Sequence, residues 1–127
     1  AGLERNVRFL GFHNGPGQLV SLSDICMLTS EREGLPRVVV QYLAGGKPVV
    51  VTHVPGIEDI VRNEVSALIC GPEDFDGVAQ ALLRLLSDPE LHARMAKAAA
   101  ETNVSDWSEG ALVAGTMDVY QGLLDRS

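Results

Sequence analysis

Cysteine is scarce in this 127-residue chain: there are two, Cys26 and Cys70, both in apolar stretches and without the spacing of a metal site. Two isolated thiols exclude a disulfide-stapled scaffold and read as reduced, buried residues of a cytosolic protein. Basic residues are also few, 10 against 17 acidic, for a net charge of −7. That excludes a general nucleic-acid surface, which needs clustered Lys and Arg. It leaves room for a small anion held by backbone N–H groups. No apolar run approaches the roughly 20 residues of a membrane span, and no secretory leader is visible. The opening AGLERNVRFL reads as the middle of a protein rather than a start. Repeats, low-complexity tracts and internal linkers are missing as well. What remains is 46% hydrophobic and 21% charged residues, the composition of an ordinary globular protein. The length suits one compact domain over residues 1–127 and is too short for two.

Strand and helix patterns alternate along the chain. Residues 6–12 (NVRFLGF) read as a short strand, followed by the turn-rich HNGPGQLVSLS with one helical turn near residues 18–22. Residues 24–30 (DICMLTS) read as a second strand, apolar on both faces as in a buried parallel sheet. A helix is expected over residues 35–44. Pro36 suits its first turn, where a missing N–H costs nothing. Gly45 and Gly46 close it, because glycine tolerates a left-handed cap. Residues 48–54 (PVVVTHV) form a β-branched third strand, and residues 66–71 a fourth. Between them, residues 56–63 predict a short helix with Glu58 and Asp59 near its positive end.

The rest reads as helix. Residues 73–88 place Phe75, Val78, Ala79, Leu82, Leu83 and Leu86 on one stripe. Asp88 with Pro89 starts the next helix. Residues 106–126 form a last amphipathic helix carrying Leu112, Met117, Tyr120 and Leu124. The fold class is therefore α/β, a Rossmann-like parallel sheet with helices on both faces. Four short strands, against about six in a doubly wound domain, point to the second half of one.

Ligands of open α/β sheets bind beyond the carboxyl ends of the strands. TSEREGLP lies there, directly after the second expected strand. Gly34 lets the backbone approach a ligand closely. The helix opening at Leu35 and Pro36 presents free N–H groups and a positive dipole end, which suits a diphosphate. Glu33 stands just outside that helix start. Gln41 stands about five residues inside it, roughly 7.5 Å along the axis. The two polar groups flank an anion docked at the helix end, one toward a sugar and the other toward a ribose.

SEREGLPRVVVQYLAGGKPVVVTHVPGIEDIV resembles the signature region of the retaining GT-B glycosyltransferases that use nucleotide sugars, whose hallmark is a Glu, seven residues, and a second Glu. VRFLGF, SDICMLTS, GGKPVV, GPEDFDGVAQALLRLLSDPELHARMAKAAAE and a Trp heading the last helix match in the same order. The resemblance implies that Glu33 meets donor-sugar hydroxyls and that Gln41, in place of the second Glu, meets the ribose. It implies that the backbone N–H groups of Arg37 and Val38 meet the diphosphate and that Phe12 and His13 line the base. It further implies no metal and no cofactor, a nucleotide-diphosphate sugar as donor substrate, and a cytoplasmic protein, with peripheral membrane attachment as the alternative. Full-length members carry an acceptor-binding N-terminal domain, for a glycan, lipid or small molecule, and a basic Arg/Lys pair for the diphosphate. Neither lies in these residues, so the chain alone is expected not to transfer sugar. An open sheet edge would also favour self-association.

Plainer readings stand beside these. Glu33 also reads as a solvated loop carboxylate and Gln41 as a satisfied polar residue on a helix rim. His13 and His53 read as loop histidines, His92 as structural, Lys47 as a solvated helix-end charge and Trp107 as a buried anchor. Two rival functions share the pattern: a non-catalytic nucleotide- or protein-binding module, and a GT-B sugar-nucleotide epimerase.

Overall fold

The computed structural model describes residues 2–125, so Arg126 of the expected last helix lies outside the described residues. Three parallel strands form the sheet, β1 (Cys26–Leu28), β2 (Val49–Thr52) and β3 (Ala67–Cys70), in the order β1-β2-β3. Cys26 pairs with Val49 and Leu28 with Val51, while Val49 pairs with Ala67 and Thr52 with Cys70. Helices α1 (Pro16–Leu22) and α2 (Arg37–Ala44) flank β1 in the chain, and α3 (Phe75–Ser87), α4 (Pro89–Glu101) and α5 (Glu109–Leu124) follow β3. Short 3₁₀ turns cover Ile57–Asp59 and Ser105–Trp107.

The expected two-sided packing is present. Val49, Val51 and Ala67 face a core built with Val39 and Leu43 of α2 and with Val54, Ile57 and Ile60 of the segment after β2. Val50, Leu68 and Cys70 face the opposite core, built with Val78, Ala81 and Leu85 of α3 and Leu91 and Met95 of α4. The split follows from the two-residue period of a strand. Asp74 and Asp88 start α3 and α4 by accepting the N–H groups of Gly77 and Leu91, satisfying donors that have no intrahelical partner. Both cysteines are free and buried.

Several expectations are corrected. Residues 6–12 form no strand; Phe9 and Phe12 are 98% and 93% exposed. A strand needs a neighbour to take its N–H and C=O groups, and the described sheet has none there. β1 is an edge strand, so Met27 is exposed instead of buried on a second face. On α3 the buried stripe is Val78, Ala81 and Leu85, while Phe75, Ala79, Leu83 and Leu86 are exposed. α5 buries none of its side chains, and Leu112, Met117, Tyr120 and Leu124 all face solvent. α2 begins at Arg37 with Pro36 as its N-cap rather than inside its first turn. Lys47 is not merely solvated: its Nζ donates to the Ser21 carbonyl at the end of α1, 3.1 Å away.

Two adjacent glycines close α2 for different reasons. Gly46 takes the left-handed conformation, with φ of +65°, whereas Gly45 has φ of −80°. A Cβ on Gly45 would lie 2.7 Å from Val20 Cγ1, so Gly45 is there to let α1 lie against the end of α2. Gly45→Ala is expected to cost about 1–3 kcal/mol of stability through overpacking. Gly17→Ala, in open space within α1, should instead gain about 0.4–1 kcal/mol by stiffening the unfolded chain. Denaturant unfolding of the two variants checks both signs.

Candidate donor-binding site

Parallel strands with helical returns place every strand-to-helix loop at one edge of the sheet. Three such loops meet that edge: residues 29–36 after β1, residues 53–56 after β2 and residues 71–74 after β3. The first carries Glu33 and Gly34 and delivers the chain to the N-terminus of α2. Glu33 is partly exposed and Pro36 is fully buried, which seats the end of this loop against the core.

The start of α2 has unused donor capacity. The Arg37 N–H turns back to the Leu35 carbonyl at 2.7 Å and the Val39 N–H donates to the Pro36 carbonyl at 2.9 Å. Val38 lies between them, at a position where a helix supplies no intrahelical acceptor. No acidic side chain occupies the first turn, so nothing in that turn offsets the positive end of the dipole. Of the two N–H groups expected at a diphosphate, that of Val38 is thus the freer, while that of Arg37 is taken by the Leu35 carbonyl.

The other expected site residues lie on two flanks. Gln41 is exposed and lines a depression of about 390 Å³ with Gly17, Val20 and Ser21 of α1. Phe12 and His13 precede α1, both exposed; His13 Nδ1 accepts the Gly15 N–H at 3.1 Å. The Arg37 side chain borders a different cleft, about 550 Å³, between the start of α2 and α5, with Leu35, Trp107 and Tyr120. The structure therefore brings Glu33, Gly34, Pro36, Arg37 and Val38 together through one loop and helix start. It sets Gln41, Phe12 and His13 on the α1 side.

Sequence reasoning missed two features of this edge. Thr52, buried at the end of β2, donates its hydroxyl to the Ser30 carbonyl at 2.7 Å. The signal was available as a polar residue ending the run VVVT. The second is a hydrogen bond from His53 Nε2 to the Glu58 carboxylate, 2.6 Å apart, where Glu58 was expected to serve only the helix start. The Cys70 thiol at this edge has a raised pKa from burial and from nearby Asp74, which keeps it protonated and unsuited to nucleophilic chemistry.

Known proteins share the fold. The sequence profile of the family described as glycosyl transferases group 1 matches residues 1–102. The chain belongs to that family. Relatives include the N-acetyl-alpha-D-glucosaminyl L-malate synthase of Bacillus anthracis, 30% identical over 96% of this chain and 32% of its own. Glycosyltransferase LpsD of lipopolysaccharide core biosynthesis in Rhizobium meliloti is 31% identical over 98% of this chain and 35% of its own. Among solved structures, sucrose-phosphate synthase from Thermosynechococcus elongatus superposes with a TM-score of 0.83 at 26% identity, over 98% of this chain and 32% of that one. Anabaena HepE in complex with UDP-glucose superposes with a TM-score of 0.80 at 27% identity, over 93% of this chain and 34% of that one. The chain thus spans about a third of the length of these group 1 glycosyltransferase relatives. Among the described residues no helix is long and apolar enough to cross a membrane.

The Glu58 carboxyl is held below its ordinary value of 4.5, first by its own backbone N–H and then by the hydrogen bond from His53. A depressed carboxyl pKa contributes stability above that ordinary value and loses it as pH falls through the folded one. In an NMR titration Glu58 should titrate below 4.5. His53→Gln should bring it only part of the way back, because the backbone donor remains. A midpoint at the ordinary value would show the pair to be open in solution.

Proposed function

We propose that this chain is the donor-binding part of a retaining glycosyltransferase, which moves a sugar from a nucleotide-diphosphate sugar to an acceptor. The observation that carries the reading is the start of α2. A loop bearing Glu33 and Gly34 opens a helix with no acid in its first turn, and its Val38 N–H lies where the helix supplies no acceptor. The relative crystallised with UDP-glucose supports the ligand class.

In this reading Glu33 accepts hydrogen bonds from donor-sugar hydroxyls and orients the anomeric carbon. The Val38 N–H and the helix dipole stabilise the charge that develops on the departing diphosphate. Gln41, reached along the α1 flank, holds the ribose diol through one amide acceptor and one donor, and Phe12 and His13 border the base. The reaction uses no metal, and the protein works in the cytoplasm. The acceptor is bound by the other parts of the full-length protein. A non-catalytic nucleotide-binding module is the second reading. It is favoured by Gln41, which forgoes the charge-assisted bonds of a glutamate.

Glu33→Ala in the full-length protein separates the two. Transfer should fall strongly while the melting temperature and the affinity for bare nucleoside diphosphate hold, since the latter lacks the sugar. An unchanged transfer rate would remove Glu33 from the site. Absence of transfer in the wild type with every nucleotide sugar tried would favour the binding module.

Gln41→Glu tests the ribose assignment separately. A hydrogen bond to a charged group is worth about 1.5–3 kcal/mol against about 0.5–1.5 for a neutral one. The variant should therefore bind nucleoside diphosphate tighter by about 1 kcal/mol, several-fold in affinity. Calorimetric titration giving equal affinities would place Gln41 outside the ribose site.

A further inference from the structure

Thr52 and Ser66 are the two buried polar side chains among the described residues, 6% and 3% exposed. Ser66 serves its own turn: its hydroxyl accepts the Arg62 N–H four residues away. Thr52 does something else. Its hydroxyl reaches 22 positions back, to the Ser30 carbonyl at 2.7 Å. Among the described residues, no other side-chain hydrogen bond reaches residues 29–35, the loop that carries Glu33.

The shape of the strand does not require this hydroxyl. Thr52 ends a run of three valines that are fully buried, and valine has the same branched outline and suits a strand equally well. A buried hydroxyl also carries a desolvation cost unless it is bonded. What the threonine adds is a fixed point on the loop. The loop is then held at two places, the Ser30 carbonyl by Thr52 and Pro36 by burial in the core. Glu33 sits between those two posts and, among the described residues, has no hydrogen bond or ion pair of its own to hold it.

We infer that Thr52 is a positioning residue that sets Glu33 against the donor sugar through the Ser30 carbonyl. This rests on the reading of Glu33 as the donor-sugar contact. Removing the bond frees the first post while leaving the start of α2, and so the diphosphate site, in place. The consequence falls on the chemical step, where a loop misplaced by about 1 Å costs up to about 100-fold.

The test uses the full-length protein with Thr52→Val, Thr52→Ala, Thr52→Ser and, as reference, Glu33→Ala. Thr52→Val should lower kcat for transfer about 10- to 100-fold. Its affinity for bare nucleoside diphosphate should stay within about twofold of wild type, with a folded melting transition. Thr52→Ser keeps the hydroxyl and should recover most of the rate. In the Thr52→Val/Glu33→Ala double variant the two losses should not add, because both act through one carboxylate. Wild-type kcat in Thr52→Val, or a serine variant as slow as the valine one, would overturn the inference. So would loss of the folded transition in both the valine and alanine variants, which would make the hydroxyl a requirement of the fold. If Glu33→Ala is slow and Thr52→Val is not, the positioning role alone fails. If Glu33→Ala is itself fully active, the donor-site reading fails first.

Discussion

Burial of β2 on both faces is the constraint on which the rest of the structure depends. Val49, Val50 and Val51 are closed to solvent from either side, and each such side chain contributes about 1.5–3 kcal/mol by leaving water. A strand covered twice must have helices above and below it, and parallel neighbours must return through those helices. The loops after β1, β2 and β3 are thereby forced to one edge. The candidate site is a consequence of this packing: Glu33, His53 and the turn before α3 have no sequence proximity, yet they share the carboxyl edge because the central strand admits no other route.

The same constraint explains which parts of the fold were legible in sequence. β2 announced itself as an unbroken β-branched run, and α4 through the Asp88–Pro89 start that its cap bond uses. The end of α2 was readable from its glycine pair, although only Gly46 needs the left-handed backbone. Residues 6–12 misled because strand pattern is a statement about a side-chain face, whereas a strand exists only where a neighbour completes its hydrogen bonds. α3 misled for a different reason. Leu82, Leu83, Leu85 and Leu86 make its apolar arc so wide that periodicity cannot choose an orientation, and contact with β2 and α4 chose Val78, Ala81 and Leu85. α5 misled in a third way: its apolar residues are real, but among the described residues none of them is buried.

For the site, the placement of the Glu33 loop directly before a helix start was readable because both depend on local spacing. The side on which Gln41 opens, toward α1, was not, since it depends on how two helices meet at Gly45 and Val20. The polar end of VVVT was visible, but its bond to Ser30 escaped because the end of β2 and the loop after β1 are neighbours only in the folded sheet. Family membership agrees with the local reading of the fold, and the chain spans about a third of the length of its relatives.

The central claim is that the loop after β1 and the start of α2 hold the donor. A crystal structure of the full-length protein with its nucleotide sugar tests it most directly. The account predicts a diphosphate oxygen about 2.9 Å from the Val38 backbone nitrogen, a normal N–H···O distance, with the Glu33 carboxylate hydrogen-bonded to a hydroxyl of the sugar. A diphosphate bound away from the start of α2, with Glu33 facing solvent, would contradict it.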